Sequence, residues 1–85
     1  MTLTEAKSMV HKGAVLRCRR RLPGYQWNDE SFYGWIEDDV WTVVSKPRTH
    51  IREHALSFSV LKPDGSTADL YMLPHELYEF FEVLC

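Results

Sequence analysis

Apolar and polar residues alternate most cleanly in the last third of the chain. Leu56, Phe58 and Val60 are interleaved with Ser57 and Ser59, the period of two that marks a strand with one buried face. Lys62-Pro63-Asp64-Gly65-Ser66 then reads as a turn. Pro63 fixes φ early in it, and Gly65 supplies the positive φ that closes a hairpin. A return strand sets Ala68, Leu70 and Met72 on one face. Pro74 breaks that strand and suits the first turn of a helix, predicted over 74–84, in which Leu77, Phe80, Phe81 and Leu84 recur at helical spacing. Glu76, Glu79 and Glu82 fall on the opposite face.

Upstream, Thr2-Leu3-Thr4-Glu5 has capping-box spacing and predicts a helix from Thr2 to Lys12 with a thin stripe of Leu3, Ala6 and Val10, ended by Gly13. Ala14 to Arg21 reads as a strand with Leu16 and Cys18 on one side and Arg17, Arg19 and Arg21 on the other. Leu22-Pro23-Gly24 turns the chain into a long connection, Tyr25 to Trp35. A loop of that length in so small a domain is functional, or packs over an open end of the sheet. Ile36-Glu37-Asp38-Asp39 is a turn into a strand from Val40 to Ser45, apolar on both faces and therefore either central or bent across two small sheets. Lys46 to His54 reads as a polar connection broken at Pro47.

The sum is one domain over 1–85: a helix within 1–12, a β region over 14–73 and a helix over 74–84. The pattern predicts a mainly β (α+β) fold, four to five antiparallel strands in a small, partly open barrel with short N- and C-terminal helices. An α+β sheet with both helices on one face is the alternative. At 85 residues with 45% hydrophobic and 13% aromatic content, the chain is globular but its core is small. A net charge of −2 and a pI near 6.0 argue against a surface built throughout for nucleic acid. Cys18 and Cys85 are too few for a disulfide framework or a cysteine-rich zinc site. The sequence shows neither an apolar leader nor a membrane-length run, so a reducing cytoplasm is the expected location.

Three segments resemble the small SH3-like barrel proteins encoded by bacteriophages and prophages: Lys12-Gly13-Ala14-Val15-Leu16-Arg17-Cys18, Ile36 to Val44, and Leu61-Lys62-Pro63-Asp64-Gly65. The likeness spans about 70 residues. The chain departs from the pattern at Asp39, where a glycine is common, and in its aromatic connection. The resemblance implies an SH3-like barrel and a non-enzymatic binding protein, a small accessory protein that modulates or inhibits a host protein by occupying its surface.

Arginines and aromatics supply the candidate contacts. Tyr25, Trp27 and Tyr33 are the residue types that dominate protein-binding hot spots, and Arg19 and Arg21 stand beside them as orienting charges. Phe32 and Trp35 are expected to plug the barrel. The competing expectation is a nucleic-acid binder of Tudor or KOW type. It would use Arg17, Arg19, Arg21 and Lys46, with strand spacing of roughly 7 Å between alternate residues matching successive phosphates. Against it, the same arginines can be neutralised by Glu37-Asp38-Asp39 or by Glu76, Glu79 and Glu82. The acidic face of the last helix is itself a candidate dock for a basic partner. A third reading has the aromatic loop burying itself against a second copy of the chain. His50 and His54 have a zinc-like spacing of four but lack an evident third ligand, so no metal is expected. No nucleophile, acid–base pair or glycine-rich phosphate loop stands out, and neither enzymatic activity nor a cofactor is expected.

Overall fold

A computed structural model of the chain describes residues 2–19 and 37–84. The connection from Tyr25 to Trp35, together with Arg20, Arg21 and Cys85, lies outside the described residues. Within the described residues two short helices and six strands follow in the order α1 (Leu3–Met9), β1 (Val15–Cys18), β2 (Val40–Val43), β3 (Arg48–His50), β4 (Ala55–Leu61), β5 (Thr67–Met72), α2 (Pro74–Phe80) and β6 (Phe81–Val83). The fold is mainly β with helices near both ends, as the pattern predicts.

β4 is the centre of the sheet. β5 runs antiparallel along one of its edges, from Leu56 opposite Met72 to Leu61 opposite Thr67. The predicted turn closes this hairpin: Lys62 N–H donates to the Ser66 carbonyl at 2.8 Å, and Gly65 takes φ +88°. Asp64 holds the turn by accepting from both the N–H and the hydroxyl of Ser66, which pulls its carboxyl below the usual value. The other edge of β4 is shared. β2 pairs with Val60 and Leu61, and β3 pairs with Ala55 to Ser57. Between Val43 and Arg48, four residues (44–47) span the place of two on β4, so the strand path bulges there. Pro47 has no N–H to offer a ladder. The Ser45 hydroxyl substitutes for a backbone acceptor by taking the Ser59 N–H at 2.9 Å. β1 pairs with β2 on one side and with β6 on the other. β5 and β6 thus lie at opposite ends of the strand order and do not pair, so the sheet is not closed into a barrel.

One hydrophobic cluster fills one side of the sheet. Leu16, Cys18, Trp41, Val43, Leu56, Phe58, Val60, Leu70 and Met72 belong to it from the sheet, Ala6 from α1 with Val10 just after it, and Leu77 and Phe80 from α2. Trp41 meets Phe81 with ring centroids 5.8 Å apart. Such an aromatic buries roughly 150–250 Å², a large share of what a domain this size can hide.

Several elements differ from the sequence expectation. The predicted C-terminal helix stops at Phe80, because β1 has an open edge that an extended segment can satisfy. Phe81 and Val83 then turn inward and Glu82 outward. β3 replaces part of the expected polar connection, and its Arg48-Thr49-His50 carries no burial pattern that the sequence could reveal. α1 ends at Met9, four residues short of Gly13. That glycine takes φ +95° and donates its N–H to the Val43 carbonyl, so it starts the sheet rather than capping the helix. The strand expected over Val40–Ser45 ends at Val43, and of the one expected over Ala14–Arg21 the described part is Val15–Cys18, with Arg20 and Arg21 outside the described residues. Thr2 does cap α1, its hydroxyl accepting the Glu5 N–H at 3.2 Å.

Candidate functional site

Alternation that sends Leu16, Trp41, Val60 and Leu70 inward sends their neighbours to the opposite, solvent-facing side of the sheet. Register aligns Val15 with Thr42, Thr42 with Leu61, and Leu61 with Thr67, in one row across four strands. Leu84 extends the row beyond Val15, whose carbonyl accepts the Leu84 N–H at 2.8 Å. Val40 and Val44 flank it on β2 and just beyond. Leu61, Val40, Val44 and Leu84 are 38–45% exposed, so an apolar band crosses the outer face of an open sheet.

Charged groups border this band at both ends of β2. At the β1–β6 end, Arg17 pairs with Glu82 across the ladder, both half exposed. Arg19 donates from Nε to the Phe81 carbonyl at 2.9 Å, and its backbone N–H donates to the Phe80 carbonyl at 2.8 Å. At the other end the bulge opens a cleft of about 420 Å³ lined by Ser45, Lys46, Arg48, Ser57, Ser59, Asp69 and the flank of Phe58. The Ser59 hydroxyl donates to Asp69 at 2.5 Å. His50 Nε2 lies 2.9 Å from the Ser57 hydroxyl, and its ring stacks at a tilt on Tyr71, 5.2 Å between centroids.

Of the sequence candidates, Arg17, Arg19 and Lys46 are placed, and they do not converge. Arg17 faces Val40 at the start of β2, whereas Lys46 follows its end, so roughly 10 Å of strand separates them. Arg48 and Arg52 belong to the Lys46 end, apart from Arg17 and Arg19. Tyr25, Trp27, Tyr33 and Arg21 lie outside the described residues. The acidic face expected on the last helix is broken up: Glu82 sits on β6, and the Glu76 carboxylate accepts the Leu73 N–H at 2.7 Å at the start of α2. Cys18 is fully buried. Loss of solvation, aided by the nearby Asp39 charge, pushes its thiol up to about 12, so it is a poor nucleophile at neutral pH.

Sequence reasoning missed the apolar band and the cleft. Val40, Val44, Leu61 and Leu84 are apolar residues at outward positions, a signal visible only as departures from strict alternation. The cleft has no contiguous signal, since the bulge creates it. Comparison with protein-family models, with curated proteins and with solved structures finds no significant match to this chain. Among the described residues, no helix is long and apolar enough to cross a membrane.

Proposed function

We propose that this chain is a non-enzymatic protein-binding module whose contact surface is the outer face of the sheet. The observation that carries this reading is the exposed apolar band of Val40, Val44, Leu61 and Leu84 on that face. A contiguous apolar patch rimmed by charge is the usual mark of a protein contact rather than of a solvated face. The Arg17–Glu82 pair supplies such a rim. Tyr25, Trp27 and Tyr33, with Arg19 and Arg21, complete the proposed contact on the sequence argument that aromatics bring area and arginines orientation. An SH3-like barrel, with β5 and β6 as its unjoined margins, is the finer fold reading. The resemblance would make the partner a bacterial host protein, modulated by occupancy of its surface.

Nucleic-acid binding through Arg17, Arg19, Arg21 and Lys46 is the weaker proposal. Arg17 is engaged by Glu82, and Lys46 stands at the far end of β2. Capture from bacterial lysate, with nuclease present, tests the choice. Wild type should retain a defined protein that a folded Val40→Asp/Leu61→Asp variant loses. Equal retention by both removes the outer face from the proposal. Recovery of nucleic acid only, and of nothing once nuclease is added, overturns it.

A further inference from the structure

The cleft at the β2–β3 bulge has a composition the apolar band does not explain. Among the described residues the side chains of Lys46 and Arg48 have neither an ion-pair nor a hydrogen-bond partner, and both residues are exposed. Two serine hydroxyls beside them keep donor capacity. Ser45 Oγ is occupied as an acceptor of the Ser59 N–H, so its own proton is free to point into the cleft. Ser57 is held only through His50 Nε2, and when that nitrogen donates, the Ser57 proton is likewise free. The Ser59 proton is already given to Asp69. The cleft is therefore rich in donors, and among its described lining residues two cations stand against one carboxylate, one positive charge in excess.

We propose that this cleft is an oxyanion subsite that receives the carboxylate of an acidic side chain on the protein partner. This deepens the protein-binding reading and rests on it. Charge decides between oxyanions: a single carboxylate matches the excess, while a phosphate dianion would be over-charged against Asp69. Position decides the context. Leu61, Ser59 and Ser57 succeed one another on the outer side of β4, each step of two residues covering roughly 6.8 Å. An extended partner segment has the same repeat. An apolar side chain seated at Leu61 therefore carries the residue two places along to the cleft mouth, and that residue is acidic. The partner motif is apolar-x-acidic in an extended strand.

The test is a two-dimensional amide NMR titration of the full chain with acetyl-Leu-Thr-Glu-Thr-Leu-amide and with its Gln analogue. The Glu peptide is expected to shift the amides of Ser45, Lys46, Arg48 and Ser57 saturably and to bind about three- to tenfold more tightly than the Gln peptide, the range of one or two exposed charge contacts. Lys46→Gln/Arg48→Gln, at exposed positions outside the core, should keep the dispersed spectrum and erase the difference between peptides. Equal affinities for the two peptides, with shifts only at Thr42 and Leu61, overturn the cleft assignment and leave the protein-binding reading standing. No shift on this face with either peptide also overturns it, and lysate capture then decides the wider reading by itself. Tighter binding of inorganic phosphate or of a ten-nucleotide oligothymidylate at the same amides overturns the carboxylate assignment.

Discussion

Cys18 shows how much one position on this chain is defined by its surroundings. In sequence it is a cysteine in an arginine-rich run, Arg17-Cys18-Arg19, where neighbouring positive charge would favour a thiolate. In the fold its side chain points inward while the arginines point out, and burial, aided by the Asp39 charge, outweighs the opposing charge of Lys62. Its thiol, ordinarily near 9.0, is raised to about 12. Below the unfolded value both states hold the proton, and the contribution of Cys18 to stability is fully present. Above it only the unfolded thiol ionises, so that contribution is lost as pH rises from about 9 to about 12. Urea unfolding of wild type should therefore weaken over that range more steeply than that of Cys18→Ala. In a Cys85→Ser background, Cys18 should resist a thiol reagent at pH 8 until urea is added. Rapid labelling of the native protein would contradict the burial argument.

At the scale of elements, β6 was the least legible part. Leu77, Phe80, Phe81 and Leu84 fit a helical stripe as well as the strand fits Phe81 and Val83, and three residues are too few for a period to decide. What decides is the open edge of β1. The Arg19 N–H donates to the Phe80 carbonyl and the Leu84 N–H to the Val15 carbonyl, so the alternation of the ladder aims the Glu82 N–H at the Arg17 carbonyl. Two substitutions at this residue separate the ladder from the ion pair. Glu82→Ala removes a half-exposed pair and should cost under about 1 kcal/mol. Glu82→Pro also removes a ladder donor and should cost about 2 kcal/mol or more. Equal losses in chemical denaturation would mean that β6 contributes little to holding β1.

For the whole molecule, the open sheet matters most, because it leaves one face to the core and the other to partners. Val60 and Leu61 are neighbours in sequence on opposite faces, one fully buried and the other 40% exposed. Val60→Asp should abolish cooperative thermal unfolding, since it places an unpaired charge in a core with no buried polar residue among those described. Leu61→Asp should leave the melting temperature within a few degrees, a change of about 0.5 kcal/mol at a surface position. If Leu61→Asp proved as damaging as Val60→Asp, the outer face would be core and not a contact surface.

The sequence by itself determined what local chemistry can specify. The β4–β5 hairpin, with its alternation and its Pro63–Gly65 turn, was legible because two adjacent strands and their turn need no distant partner. The Thr2 cap, Pro74 at the start of α2, the central place of β2 and the inward Cys18 were legible for the same reason. Long-range pairing decided the rest. β3 exists because β4 has a free edge beyond the bulge, β6 because β1 has one, and Glu82 faces Arg17 only once those strands meet. The candidate site follows the same division. Arg17, Arg19 and Lys46 could be named from the chain, but their separation, the apolar band on the outer face and the cleft at residues 44–47 are products of register. Register is set by which strands find each other, and no single strand's sequence contains that information.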